Sequence, residues 1–101
     1  MLNSKQRAYL RGLANTLDCS FHIGKSELSV NVENSLADLL QNRELVKACV
    51  LKTVNAPVAE IAHQLAESVG AEVVQVIGRR FVVYRRSERL AEAGKAIILP
   101  R

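Results

Sequence analysis

Phe21-His22-Ile23-Gly24-Lys25-Ser26-Glu27-Leu28-Ser29 is the stretch of this sequence best suited to hold an anion. A short apolar segment with strand character runs into a tight Gly-Lys-Ser turn, and the pattern beyond Ser29 is helical. A turn that opens a helix carries unpaired backbone N–H groups and the positive end of the helix dipole, and phosphate binds well there. Lys25 adds a full charge. The plain alternative is a strand-to-helix connector, since Gly-containing turns are common punctuation. Further positive charge comes from Lys5, Arg7 and Arg11 near the N-terminus and from Arg79, Arg80, Arg85 and Arg86. Charge is unevenly spread: residues 1–17 carry +3, residues 18–72 carry −4, and residues 73–101 carry +5, for a net +4. Two basic ends around an acidic middle suggest a polyanionic partner, with ordinary solubilising charge as the alternative.

Chemistry of other kinds is poorly provided for. His22 and His63 are far apart and lie in no metal-ligand motif, so both read as structural or surface histidines. No nucleophile stands beside a base, and no carboxylate pair is evident. Gly24-Lys25-Ser26 matches the end of a P-loop, but the upstream glycine of that motif would fall at Cys19. No catalytic residue, metal ligand, cofactor or small-molecule substrate is expected. Cys19 and Cys49 lack the spacing of a metal knuckle or redox pair and read as buried free thiols, with a disulfide between strands as the alternative. Aromatics are few, and none forms a paired platform for splayed bases. Any nucleic acid would be held chiefly through its backbone, with strong salt dependence.

The elements that position these residues follow from periodicity. Ser4 can cap a first helix whose inward face is Leu10, Leu13, Ala14 and Leu17. Gly12 weakens that helix and suggests a close approach to a neighbour. A strand over 19–23 precedes the turn. A second helix is expected from Val30 to Gln41, capped by Ser29, with Val32, Leu36, Leu39 and Leu40 facing inward. Residues 44–53 read as an interior strand, with Lys47 reaching past the sheet edge. A third helix starts near Asn55, buries Val58, Ile61, Ala62, Leu65 and Val69, and stops at Gly70. Strands at 72–77 and 80–85 flank Gly78-Arg79, the pattern of a type II′ hairpin. Alternation places Arg85 with Phe81 and Val83, and Arg86 with Val82 and Tyr84. Residues 87–94 form a short helix or loop, and the apolar end Ala96-Ile97-Ile98-Leu99-Pro100 is expected to fold back on the body.

The order is therefore α-β-α-β-α-β-β: an α/β fold with a mixed four-stranded sheet and helices packed on it. With 101 residues and 49% hydrophobic composition, the chain is read as one globular domain over 1–101, of which 87–101 is a C-terminal extension. No stretch reads as a membrane span or a signal peptide, so a cytoplasmic protein is expected.

Taken over its whole length, the sequence resembles the CRM family (chloroplast RNA splicing and ribosome maturation) in its stand-alone bacterial form, the YhbY type. The residues that carry the likeness are Leu2-Asn3-Ser4-Lys5-Gln6-Arg7-Ala8-Tyr9-Leu10-Arg11, Leu13-Ala14, Ile23-Gly24-Lys25 and Glu44-Leu45-Val46-Lys47. Val74-Gln75-Val76-Ile77-Gly78-Arg79, Tyr84-Arg85 and Ile97-Ile98-Leu99-Pro100-Arg101 complete it. The resemblance implies a fold similar to the C-terminal domain of bacterial translation initiation factor three. It also implies RNA binding in association with precursors of the large ribosomal subunit. The family's Gly-x-x-Gly loop, similar to that of KH domains, clamps the RNA backbone. Here it reads Gly24-Lys25-Ser26-Glu27. Glu27 replaces the second glycine, and its carboxylate would repel phosphate.

The sequence thus points to a non-catalytic RNA-binding protein of ribosome biogenesis. Its expected partner is ribosomal RNA or pre-50S particles, and no membrane. The candidate RNA-binding residues are Lys5, Arg7, Arg11, Gly24, Lys25, Ser26, Arg79, Arg80, Arg85 and Arg86. The alternative is a protein-interaction module that docks on a ribosomal protein or assembly factor with little RNA affinity of its own.

Overall fold

The computed structural model describes residues 2–24, 30–52 and 54–100. Eight elements follow in order: α1 (Ser4–Ala14), β1 (Phe21–Ile23), α2 (Val30–Arg43), β2 (Leu45–Val50), α3 (Val58–Val69), β3 (Glu72–Ile77), β4 (Arg80–Tyr84) and α4 (Glu88–Glu92). The sheet has four strands in the order β1-β2-β4-β3. β1 pairs with β2 in parallel, with Phe21 opposite Ala48 and Ile23 opposite Val50. The other two pairings are antiparallel, so the sheet is mixed.

Both sheet faces are covered. On one side α2 and α3 pack their apolar stripes onto Ile23, Val46, Ala48, Val50, Phe81 and Val83. On the other, Leu10 and Ala14 of α1 pack with Leu45, Val74, Val82 and Tyr84, and Ile97 and Leu99 of the tail close the same cluster. Helix spacing brings Leu36 and Leu40 to full burial, and likewise Ile61 and Leu65. Interior position explains why β2 reads as a nearly unbroken apolar run: Val46, Ala48 and Val50 feed one core, and Leu45 feeds the other.

Several local expectations shift. Asn3, not Ser4, caps α1: its side chain accepts from the Gln6 N–H at 2.8 Å, while its own N–H donates to the Gln6 side chain at 3.1 Å. Gly12 makes no close approach among the described residues: a Cβ there would meet nothing within 4 Å. α3 begins at Val58 rather than near Asn55, with Pro57 as its N-cap. The expected Ser29 cap, and Thr53 at the end of the expected second strand, lie outside the described residues. Gly78 adopts φ 58°, as the first central position of a type II′ turn requires.

Cys19 and Cys49 are not free thiols. They are joined as a disulfide with Cα atoms 6.0 Å apart, across a sequence separation of 30. Parallel pairing of β1 with β2 sets Cys49 opposite His22 and so close to the start of β1. Sequence spacing cannot display that proximity.

Glu44 is the least expected core residue. It does not open β2 but sits between α2 and β2 at φ 62°, with its side chain fully buried. Its carboxylate accepts from the backbone N–H of Ser87 and of Ile97, both at 2.6 Å. Its own backbone N–H donates to Leu40 O, and its carbonyl accepts from Arg85 N–H. A buried charge needs such partners. Here they come from the C-terminal segment, so Glu44 ties that segment to the body.

Candidate nucleic-acid interface

Parallel pairing and the hairpin together decide which basic groups can meet. β1 and β2 both end where Gly24 and Leu51 begin, and the Leu51 N–H donates to Ile23 O at 2.9 Å. The β3–β4 hairpin turns at this same end, because Arg80 lies opposite Cys49 and Ile77 opposite Arg80. α2, the next described element after Gly24, begins at Val30. One end of the domain thus gathers Gly24, the hairpin tip with Arg79 and Arg80, and the exposed Lys52.

Arg79 is the brace of this end. Its Nε donates to Val50 O at 3.1 Å, and its Nη2 donates to Leu51 O at 2.6 Å and Val54 O at 3.0 Å. The guanidinium fixes the segment that leaves β2 beside Gly24. Carbonyls carry no net charge, so its positive charge remains, and no acid pairs with it among the described residues. Arg80 is exposed, and its side chain has no partner among the described residues. Among the described residues, a Cβ at Gly24 would meet only the Leu51 side chain at 3.6 Å, an ordinary contact. Lys25 and Ser26, and Glu27 with them, lie outside the described residues.

The remaining expected site residues are elsewhere. Arg85 follows the β4 alternation onto the α2–α3 face, where Nη1 donates to Val69 O at 2.9 Å and Nη2 to Ala37 O at 3.3 Å. It bridges α2 and the C-terminal end of α3. Arg86 is exposed and pairs with Glu88 at 3.6 Å. Both follow the far end of β4, about 13 Å from Arg80 at strand rise. Arg7 reaches across to donate to Val73 O of β3. Arg11 lies one helical turn further along the same stripe and is exposed, as is Lys5 on another side of α1. Gly24, Arg79 and Arg80 therefore share one end, while Arg85 and Arg86 do not belong to it.

Lys47 and Lys52 are basic residues that were not among the candidates read from the sequence. Lys47 does not pass the sheet edge, because β2 is interior. It rises onto the α1 face, where its Nζ donates to Leu17 O at 3.2 Å and Ala14 O at 3.4 Å. A cation there suits the negative end of the helix dipole. The signal was present: a lone lysine in an apolar run, at the alternation phase of Leu45 and Cys49. Tyr84 is core, and burial pushes its phenol above the ordinary tyrosine range, with the nearby Glu44 charge adding to the rise and Arg86 opposing it. Among the described residues, no group of His, Cys, Asp and Glu could hold a metal ion, and no helix is long and apolar enough to cross a membrane.

Comparison with known proteins agrees with this architecture. The family model for the CRS1 / YhbY (CRM) domain matches residues 2–85. The probable RNA-binding protein YqeI of Bacillus subtilis (strain 168) is 33% identical over 100 residues, covering 99% of this chain and 100% of its own. An RNA-binding protein of Haemophilus influenzae is 31% identical over 87 residues, covering 86% of this chain and 88% of its own. The solution structure of a hypothetical protein from Staphylococcus aureus, for which RNA binding is proposed, superimposes with a TM-score of 0.79 at 42% identity. It covers 99% of this chain and 100% of that one.

Proposed function

This chain belongs to the CRS1 / YhbY (CRM) domain family, and from that premise we propose that it is a non-catalytic, cytoplasmic RNA-binding protein. Its target is structured ribosomal RNA, contacted while the large ribosomal subunit is assembled, and residues 1–101 act as one domain. The observation that carries this reading is the convergence of Gly24, Arg79, Arg80 and Lys52 at the end of the sheet where α2 begins. None of those three cations is ion-paired among the described residues. The relatives named as RNA-binding proteins over their full or nearly full length support the same reading.

The mechanism is phosphate capture. Capture is assigned to Gly24-Lys25-Ser26, ahead of α2 in the sequence, where Lys25 supplies charge and the hairpin cations stand at the same end as Gly24. Arg79 fixes the segment beside Gly24 through Val50, Leu51 and Val54 while its charge adds to the field. Glu27 opposes the capture and weakens it. The test is a pair of loop variants assayed against a ribosomal RNA fragment. Lys25→Ala is expected to weaken binding about threefold to tenfold without lowering stability, and Glu27→Gly to strengthen it by a similar factor. If neither variant moves RNA affinity at low or moderate salt, the loop is not the site, and docking on a protein of the assembling ribosome becomes the better reading.

A further inference from the structure

α1 covers only part of its sheet face. Beyond its C-terminal end lies a cleft of about 110 Å³, lined by Asn15, Lys47, Gln75, Ile77, Arg80 and Val82. That is several times the room a single water needs. We propose that this cleft holds one unstacked nucleotide of a single-stranded RNA segment that runs on from the structured RNA bound at the Gly24 end; the inference rests on the RNA-binding reading above.

Three features carry it. The first is charge. Lys47 is half-buried and uses two of its three N–H donors on Ala14 O and Leu17 O, leaving one. Among the described residues, Arg80 beside it has no side-chain partner and no carboxylate lines the cleft. A cation held partly out of water with no acid near it favours an anion there. The second is a pair of free amides. The side chains of Asn15 and Gln75 have no hydrogen bond among the described residues, and each offers donors and an acceptor. That is what the edge of a base uses. Gln75 points here because of a bulge between Val73 and Gln75: Val73 pairs with Val83 but Gln75 with Val82. The irregularity lets Val74 fill the α1 core while Gln75 keeps to the same face. In a regular strand Gln75 would share the face of Val73 and lie in the α2–α3 core. The third is an apolar wall. Ile77 is 62% exposed at the mouth, where a base face can rest on it. An acidic protein segment would use the cations but would leave the amides and Ile77 without a role. The cleft is also continuous with the candidate interface through Arg80.

The test compares two RNAs on the full chain: a blunt ribosomal RNA hairpin, and the same hairpin with roughly five unpaired nucleotides at its 3′ end. The extended RNA is expected to bind about tenfold tighter, and Ile77→Ala and Gln75→Ala are each expected to cut that advantage to about threefold or less. Affinity for the blunt hairpin should not change. Both side chains are at least partly exposed, and a thermal melt shows that each variant is folded. If the blunt hairpin binds but the extension adds nothing, or its advantage survives both substitutions, the cleft assignment is wrong and the RNA-binding reading stands. If neither RNA binds the unmodified chain, the RNA-binding reading fails and this one fails with it. Displacement of the extension by a poly-glutamate peptide at lower concentration than by a short oligonucleotide overturns the nucleotide assignment in favour of an acidic protein segment.

Discussion

Glu44→Gln isolates what the buried carboxylate contributes. The substitution keeps shape and removes charge. The two carboxylate oxygens each accept one backbone N–H, from Ser87 and from Ile97. In glutamine one of those oxygens becomes an NH₂ group, and a donor then faces a donor. A hydrogen bond to a charged group contributes about 1.5–3 kcal/mol, and the surviving neutral one about 1 kcal/mol. The lower cost of burying a neutral side chain offsets part of the loss. The net expectation is a destabilisation of about 2–3 kcal/mol. For a domain of this size that lowers Tm by roughly 10–20 °C. Urea unfolding followed by far-UV circular dichroism measures it, with a shifted midpoint at unchanged slope. A second arm removes residues 96–101 and with them the Ile97 N–H. In a double-mutant cycle the two changes should couple by about 1 kcal/mol, because they share a bond. A loss below about 0.5 kcal/mol, or strict additivity with the truncation, would refute the claim that Glu44 fastens the C-terminal segment. Glu44 follows α2 at the end of the sheet away from Gly24, so RNA affinity measured well below Tm should be unaffected.

Arg79→Ala is expected to cost both stability and RNA affinity, since three carbonyls lose their donor, whereas Arg80→Ala should reduce affinity alone; melts beside binding curves separate the two. Arg85→Ala should destabilise by about 1–2 kcal/mol through loss of its bonds to Val69 and Ala37 while leaving affinity for blunt RNA unchanged, and an RNA defect as large as that of Lys25→Ala would overturn its assignment to the scaffold. The raised Tyr84 pKa favours the neutral phenol in the folded chain, so its contribution is fully present below the unfolded value near pH 10 and is lost as pH rises through the folded value. Ultraviolet titration should show this phenol ionising late, and Tyr84→Phe should abolish its share of the alkaline loss of stability.

The fold was legible where one pattern served one purpose. Leu36 and Leu40, or Ile61 and Leu65, show helical spacing because each helix buries a single stripe. β3 and β4 show as a hairpin because Gly78 meets a local backbone demand. The charge at Arg79 was visible, but its task was not, since bracing Val50, Leu51 and Val54 depends on strands that meet only in three dimensions. Arg85 shows the opposite case. Alternation placed it correctly with Phe81 and Val83, and that face is packed under α2 and α3. Asn3 outcompeted Ser4 as the cap because Gln6 completes a reciprocal pair with it. Glu44 gave no signal beyond an acid beside an apolar run, because both of its partners come from the last fifteen residues. The Cys19–Cys49 pairing and the bulge that re-aims Gln75 depend likewise on neighbours in other strands.

The most direct test of the central claim is fluorescence anisotropy of a labelled ribosomal RNA fragment across a salt series, beside a mixed-sequence single strand. If the Gly24 end neutralises about three phosphates, affinity should fall roughly 40-fold between 50 and 200 mM salt. Submicromolar binding at low salt with that slope, and a preference for the structured fragment, is the expected result. No binding at low salt, or binding indifferent to salt, would contradict phosphate capture by this end of the domain.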